Sequence, residues 1–380
     1  MKKMLMVATV PSMIGQFNMS NLSLLMELGY EPHIACNFKD RSIWMDDETE
    51  KFRTEMKNLS IPCHQIDFSR SPWNIGQGIN SYRQMKCLQN EIKFDFIHCH
   101  TPVASVVSRI IAHKSNVRLI YTAHGFHFFK GGPLKNWVMF YPVEKALSYW
   151  TDVLITINKE DYMRAKKHFH AKRIVYIPGV GVDMKKFDKT LVGKEVNRKE
   201  LMDLLNIPND AFLLFSVGEL NKNKNHSTVI RALKNLDHNI HYLIAGIGEL
   251  ESELIHLASE LGLEDRVHLL GYRNDIADIL KLVDVFLLPS IREGLNVSLM
   301  EAMASGLPCI CSDIRGNNDL IINGKGGYRV KSNESDGWKK AINKIISGDI
   351  ESFGEYNREE IAKFSINVVH SKMKKVYQEI

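Results

Sequence analysis

Val285–Ala304 reads VFLLPSIREGLNVSLMEAMA. The four apolar residues Val285–Leu288 predict a short buried strand, and the apolar spacing of Val297–Ala304 predicts a helix. A loop rich in polar residues joins them. A buried strand, a loop and a helix in this order are typical of a parallel sheet that helices cover on both faces.

The same alternation extends over the rest of the chain. Strands are predicted at Met4–Val10, Pro32–Cys36, Ile61–Ile66, Phe94–Cys99, Val117–Ala123, Val153–Ile157 and Arg173–Ile177, and again at Phe212–Val217, His241–Ala245, Val267–Leu270, Val285–Leu288 and Pro308–Cys311. Helices are predicted at Phe17–Leu28, Ile79–Ile92, Lys159–His168, Ser227–Leu236, Glu251–Leu261, Ile276–Leu282 and Val297–Ala304. The fold class is therefore α/β, with two doubly wound, Rossmann-like domains.

Pro178–Val182 closes the first series of strands, and a polar stretch follows it. We expect domains at residues 1–182 and 198–365, joined by a linker at residues 183–197. Ligands of such sheets bind outside the carboxyl ends of the strands, so two domains that face each other would form a binding cleft.

The composition is that of a globular protein, with 380 residues and a net charge of +5. Residues 1–185 hold 24 Lys and Arg against 16 Asp and Glu, whereas residues 186–380 hold 25 against 28. The basic first half suggests contact with nucleic acid, a phosphorylated substrate or an anionic membrane, or only solvated lysines. The six cysteines form no C-x-x-C pair, and the apolar N-terminal run lacks a cleavage site. We expect a reduced, cytoplasmic chain with no membrane span.

Glu293 and Glu301 stand eight residues apart across the loop and the helix quoted above. Gly294 leaves the loop backbone open to close approach. The free N–H groups of a helix start bind anions, and a carboxylate one turn in can accept hydrogen bonds from sugar hydroxyls. Binding of a nucleoside diphosphate-sugar requires both an anion site and an acceptor for sugar hydroxyls. The alternative is a pair of carboxylates that only cap the helix.

A second candidate site, Val217–Asn225, follows the first strand of the second domain. Lys222 and Lys224, beside Gly218, can neutralise a diphosphate, although they could equally be surface lysines. Three weaker candidates for nucleotide contact follow later strands: Gly246, Tyr272 and Arg273.

His124 ends a strand of the first domain, where it can contact a substrate or move a proton. With His98, His100 and His127 it could in principle bind zinc, but no carboxylate stands at metal-binding spacing. The chain has no P-loop motif and no Asp-x-Asp pair. No metal or other cofactor is therefore expected.

The chain resembles the retaining glycosyltransferases of family four, which have the GT-B fold, and within them the bacterial capsular and exopolysaccharide branch. The similarity lies in Glu293 to Glu301, in the strand-end His124-Gly125 and in Lys224. It implies that Glu301 binds the ribose, that Glu293 binds the donor sugar and that Lys224 binds the diphosphate.

The resemblance also implies that His124 contacts the transferred sugar and that a last helix, residues 366–380, crosses back onto the first domain. Further contacts with the nucleotide-sugar are implied for Gly15, Leu295, Asn296 and Val297. Glu219 stands where the family usually has an Arg, which leaves the binding of the diphosphate open; Lys222 could take over that role.

The sequence thus predicts a metal-independent hexosyltransferase that moves a sugar from a nucleotide-sugar, such as a UDP-sugar, to a lipid-linked saccharide with retention. A nucleotide-sugar epimerase and a non-catalytic binding subunit are the alternatives. The aromatic segment 126–141 carries Lys130, Lys135 and Trp137, which suit contact with the inner face of an anionic membrane. Alternatively, its aromatic side chains pack into the core.

Overall fold

The computed structural model describes residues 1–188 and 198–380, so the second half of the predicted linker lies outside the described residues. The chain divides into two compact units. Unit 1 comprises residues 1–180 and 369–380, and unit 2 comprises residues 181–368. In the part of the chain that the structure describes, no helix is long and apolar enough to cross a membrane.

Unit 1 is built on a parallel sheet of seven strands in the order β3-β2-β1-β4-β5-β6-β7. These strands are β1 Lys2–Val7, β2 Tyr30–Cys36, β3 Cys63–Gln65, β4 Phe96–Cys99, β5 Arg118–Ala123, β6 Val153–Thr156 and β7 Arg173–Tyr176. β1 lies between β2 and β4, where Met6 pairs with Ile34 on one side and with His98 on the other. β1 ends three residues earlier than predicted, because the chain must turn before Pro11 begins a helix.

The helices of unit 1 are α1 Pro11–Phe17, α2 Met19–Glu27, α3 Asp46–Asn58, α4 Ile75–Ile92, α5 Pro102–Ser115, α6 Leu134–Ser148 and α7 Lys159–His168. The helix predicted at Phe17–Leu28 is confirmed as α2, although it begins two residues later, and the preceding helix α1 was not predicted. Asn18 leaves the helical region, with φ −130° and ψ 4°, and its side chain donates to the carbonyl of Met13. The helical conformation is therefore interrupted at Asn18, which separates α1 from α2.

Unit 2 is built on a parallel sheet of six strands in the order β10-β9-β8-β11-β12-β13. These strands are β8 Phe212–Val217, β9 Ile240–Ala245, β10 Val267–Leu269, β11 Val285–Leu288, β12 Cys309–Ser312 and β13 Gly327–Val330. β13 was not predicted because it has no apolar run. It begins at Gly327, where a Cβ atom would lie 1.8 Å from the carbonyl oxygen of Cys309.

The helices from residue 198 onward are α8 Arg198–Leu204, α9 His226–Leu233, α10 Glu251–Glu260, α11 Ile276–Ile279, α12 Val297–Ala304, α13 Asn317–Leu320, α14 Ser335–Ile346, α15 Ile350–Ile361 and α16 Ile366–Gln378, with a 3₁₀ turn at Ala362–Phe364. The end of α16 belongs to unit 1, where Val369, Met373 and Tyr377 are buried in the core. Two doubly wound parallel sheets confirm the predicted α/β class. All six cysteines are free.

Candidate functional site

In unit 2, the loop after β8 and the loop after β11 meet through an ion pair. The ammonium of Lys224 donates to Glu293 Oε1 at 2.8 Å, and the two side chains are only 19% and 13% exposed. Backbone contacts fix the same two loops, because Ile291 N–H donates to Asn223 O at 2.7 Å and Asn223 Nδ2 donates to Arg292 O at 3.0 Å. Two residues predicted from separate motifs thus form one charged pair.

Asn296 caps the helix α12, and its Oδ1 accepts from the backbone N–H of Leu299 at 2.9 Å. The cap of this helix is therefore Asn296, which does not support the alternative in which Glu293 and Glu301 only cap it. Because the cap occupies the N–H of Leu299, the N–H groups left for an anion are those that precede it, including Val297. Leu295 and Asn296 are buried at this turn, and Gly294 lies against Gly316.

Glu301 lies inside α12 and is mostly buried. Burial raises the pKa of its carboxyl group to about 7, and the nearby charge of Lys186 opposes this rise. Among the residues that the structure describes, none donates a hydrogen bond to this carboxylate. The carboxylate is therefore available to accept hydrogen bonds from hydroxyl groups of a ligand.

The glycines predicted to contact the nucleotide stand at positions where the packing of the loops leaves little room for a side chain. A Cβ atom on Gly246, where φ is +157°, would lie 1.9 Å from the carbonyl oxygen of Gly218. A Cβ atom on Gly218 would lie 3.0 Å from Cε of Lys224. Gly246 N–H donates to Gly271 O at 2.8 Å. These glycines let the loops after three neighbouring strands pack together, and any contact with the nucleotide stays a prediction.

The other predicted residues of unit 2 are not part of this charged pair. Lys222 is exposed and lines a groove between α9 and α10, and Glu219 accepts a hydrogen bond from Asn221. Tyr272 is 79% exposed, and Arg273 is paired with Asp275. Their proposed contacts with the diphosphate or the base stay predictions.

In unit 1, His124 follows β5 and is hydrogen-bonded to His100 at the end of β4, with 3.2 Å between His124 Nε2 and His100 Nδ1. His98 is fully buried between Tyr377 Oη at 2.9 Å and Thr122 Oγ1 at 2.8 Å. Burial lowers the pKa of His124 to about 4 and that of His98 to about 3. Burial also lowers the pKa of His100 well below its usual value, so all three imidazoles are neutral at pH 7.

This arrangement does not support the zinc alternative. Both ring nitrogens of His98 are already hydrogen-bonded, and the ring of His127 stacks on Phe140 at 4.6 Å. Within residues 1–188 and 198–380, no group of three or more His, Cys, Asp or Glu residues could hold a metal ion.

Two further predictions concern Gly15 and the segment 126–141. Gly15 lies in α1 with no room for a side chain, because a Cβ atom would lie 2.3 Å from the ring of Trp44. Trp137 packs on the core of unit 1 and donates to Phe129 O at 3.2 Å, which corrects the expectation that it faces a membrane. Lys130 and Lys135 are exposed.

Residues 22–186 match the family Glycosyltransferase Family 4, and residues 197–360 match the family Glycosyl transferases group 1. The chain is 35% identical to the putative glycosyltransferase EpsD of Bacillus subtilis over 96% of its own length and 93% of that protein. The chain belongs to the GT-B glycosyltransferases of the group 1 and family 4 type. This transferase is also 32% identical, over 70% of its length and 69% of the relative, to the UDP-Gal:alpha-D-GlcNAc-diphosphoundecaprenol alpha-1,3-galactosyltransferase of Escherichia coli.

A solved structure shares the fold of the transferase. The Anabaena protein HepE, crystallised in complex with UDP, matches with a TM-score of 0.79 over the full length of both chains at 18% identity. At this identity, the match shows a common fold and nothing about the ligand.

Sequence reasoning missed two features of the transferase. It gave Lys186 no role, although this residue lies close enough to Glu301 to lower its pKa. It considered His100 only as a metal ligand, whereas the structure pairs it with His124. The spacing of His98 and His100 on one face of a strand was the only available signal for His100.

Proposed function

We propose that this transferase moves a hexose from a UDP-sugar to a hydroxyl group of a lipid-linked saccharide, with retention of configuration and without a metal ion. The acceptor lies at the inner face of the cytoplasmic membrane, and the product is a repeat unit of a capsular or extracellular polysaccharide. The E. coli relative supports this choice, because its name gives a UDP-sugar donor and a diphosphoundecaprenol-linked acceptor.

The unpartnered carboxylate of Glu301, in the helix that follows the Lys224–Glu293 pair, is the observation that carries this function. Glu301 accepts the two ribose hydroxyls, as acidic residues do in other nucleotide-binding α/β folds. Lys224 exchanges Glu293 for the diphosphate, and Glu293 is then free to accept hydroxyls of the transferred sugar.

The chemical step needs stabilisation of the leaving diphosphate more than any proton transfer. Lys224 and the N–H groups at the start of α12 supply it in place of a metal ion. Positioning of the acceptor hydroxyl supplies the rest of the rate acceleration. The neutral His124 contacts the transferred sugar without adding a charge.

Transfer from UDP-galactose to a short-chain GlcNAc-diphospholipid tests this function, with UDP-glucose and UDP-GlcNAc as alternative donors. We expect a disaccharide lipid with a retained anomeric configuration, and loss of transfer in Glu301→Ala. The exposed residue Glu249 provides a control, and Glu249→Ala should retain activity. A change of the donor sugar without any acceptor would instead indicate an epimerase.

Contact with the membrane is proposed through the start of α6. Leu134 and Val138, one turn apart, are 77% and 68% exposed, and Lys130 and Lys135 lie beside them. An exposed apolar turn with adjacent cations suits the surface of an anionic bilayer.

A further inference from the structure

The start of the helix α4 in unit 1 exposes large apolar side chains to solvent. Trp73, Ile75 and Ile79 are 70%, 74% and 49% exposed. Single exposed apolar residues are normal on a protein surface, but these three stand close together in the chain. Ile75 and Ile79 are one helical turn apart and lie on the same side of α4. Trp73, Ile75 and Ile79 are called the α4 tip below.

No other part of the described chain packs closely against the first turn of α4. A Cβ atom added to Gly78 would meet no atom within 4 Å outside the backbone of the helix itself, and one added to Gly76 would meet only Asn74 Oδ1, at 4.0 Å. Glycine inside a helix costs about 1 kcal/mol relative to Ala. Since packing within unit 1 does not require these two glycines, the start of α4 is open to close approach by a partner.

The charges that accompany the α4 tip in the sequence are all positive. Residues 68–90 contain three exposed cations and no Asp or Glu, and the cations are Arg70, Arg83 and Lys86. Asp67, which precedes this segment, is paired with Lys39 at 3.6 Å. The α4 tip therefore combines an apolar surface with a local excess of positive charge, and its partner should be anionic.

The α4 tip and the exposed start of α6 lie on the same side of unit 1. α4 follows β3 and α6 follows β5, and both strands belong to one parallel sheet, so both helices begin at its carboxyl edge. Met85 of α4 and Trp137 of α6 pack on the same core cluster, so the two helices cover the same face of the sheet. α5 contacts both of them.

An anionic bilayer matches the chemistry of this surface. Trp side chains prefer the boundary between lipid head groups and acyl chains, and Ile side chains gain free energy when they leave water. Anionic head groups attract the nearby cations. An acidic surface on a second copy of the chain is the alternative occupant. The bilayer is favoured because the start of α6 offers the same combination of apolar side chains and lysines at the same edge.

We propose that the α4 tip inserts into the surface of an anionic bilayer and is a second membrane anchor of unit 1, beside the start of α6. This inference rests on the proposed function, in which the acceptor is linked to a membrane lipid. One weak anchor gives only marginal binding to a membrane, whereas two anchors together hold a protein at its surface. Loss of the α4 tip should therefore weaken binding even though the lysines beside α6 remain.

Two serine substitutions remove the apolar contact and leave the cations in place. Trp73→Ser with Ile75→Ser should weaken binding to phosphatidylglycerol liposomes by at least about 10-fold, because less apolar area leaves water on insertion. The control is Met163→Ser with Ile255→Ser, which removes apolar side chains that are 64% and 56% exposed on α7 and α10. The control should bind like wild type, and both variants should unfold at the denaturant concentration of wild type.

Fluorescence on liposomes that contain brominated phospholipid locates the indole rings. Bromine quenches an indole by contact, so a ring inside the bilayer loses fluorescence and a ring in water does not. Trp73→Phe keeps an apolar side chain and should bind like wild type, but it should lose most of the quenching. Trp150→Phe is the matched control and should keep the quenching, because Trp150 is 38% exposed beyond the opposite end of α6.

Transfer assays separate this inference from the proposed function. With the short-chain GlcNAc-diphospholipid in solution, the variant with Trp73→Ser and Ile75→Ser should transfer at the wild-type rate. With GlcNAc-diphosphoundecaprenol in liposomes, its rate should fall by about the same factor as its binding. Absence of transfer by the wild type would overturn the proposed function and would leave the liposome measurements unaffected.

Three results would overturn the anchor. They are equal liposome affinity of wild type and the double serine variant, equal quenching of wild type and Trp73→Phe, and a wild-type dimer in sedimentation velocity that the double serine variant lacks. The last result would show that the α4 tip binds a second copy of the chain.

Discussion

Glu301 combines burial with a proposed role that needs an ionised carboxylate. Its carboxyl pKa lies near 7 in the folded chain but near the ordinary value of 4.5 once unfolded. The folded state therefore binds the proton more tightly, and this contribution to stability is present below about pH 4.5 and is lost as the pH rises through 7. Above pH 7, ionised Glu301 therefore lowers the free energy of unfolding, and this is the pH range in which the proposal expects it to bind the ribose hydroxyls best.

Glu301→Gln should accordingly stabilise the protein at pH 8, by at most about 3 kcal/mol relative to wild type, and should make little difference near pH 4.5. Denaturant unfolding at the two pH values measures this difference. An equal effect of the substitution at pH 4.5 and pH 8 would contradict a raised pKa.

The affinity of wild type for UDP should rise between pH 6 and pH 8, because the ionised carboxylate accepts the ribose hydroxyls more strongly. In Glu301→Gln the affinity should be lower and should lack this rise. Calorimetric titration with UDP at three pH values tests both points. Titration with uridine provides a control, since it retains the ribose but has no diphosphate whose own ionisation changes over this range.

Lys224 forms an ion pair before any ligand binds, so its removal has two effects. Lys224→Ala should weaken UDP binding far more than uridine binding, and it leaves Glu293 without its partner. We also expect a smaller effect of Lys222→Ala on UDP binding. The exposed Lys234 is the control, and Lys234→Ala should leave the ratio of UDP to uridine affinity unchanged.

The helix α6 carries both packed and exposed apolar side chains. Trp137 and Tyr141 pack on the core of unit 1, whereas Leu134 and Val138 remain exposed. The sequence suggested that the whole aromatic segment either contacts a membrane or packs inside. Both alternatives are therefore met within one helix: Trp137 and Tyr141 pack on the core, and Leu134 and Val138 do not.

Charge reversal tests the exposed face of α6. Lys130→Glu with Lys135→Glu should abolish binding to phosphatidylglycerol liposomes, since each lysine contributes about 1 kcal/mol near an anionic surface. Lys166→Glu with Lys167→Glu on α7 makes the same charge change at other exposed positions and should retain binding. Sedimentation at low and high salt measures the effect; equal pelleting of both double variants would remove α6 from the membrane contact.

In the proposed mechanism, side chains and helix N–H groups of the transferase stabilise the leaving diphosphate without a metal ion. Transfer should therefore continue in EDTA at nearly the wild-type rate. The assay compares EDTA-treated enzyme with enzyme supplied with Mg²⁺ or Mn²⁺. Complete loss of activity in EDTA, restored only by a divalent cation, would show that a metal participates.

The sequence alone was sufficient to predict the two tandem α/β domains and the loops that carry the candidate site. Buried parallel strands are short apolar runs, and the helices between them keep a 3.6-residue period, so both are encoded by neighbouring residues. The Glu293 to Glu301 stretch could be predicted as a candidate nucleotide-sugar site for the same reason, because its strand, loop and helix are contiguous.

Only the tertiary structure decided which side chains meet. Lys224 contacts Glu293 across 69 residues because β8 and β11 are neighbours in the sheet, and His100 contacts His124 because β4 and β5 are neighbours. The raised pKa of Glu301 likewise depends on what the rest of the chain places around it. Strand order and burial are properties of long-range packing, which no local period or spacing specifies.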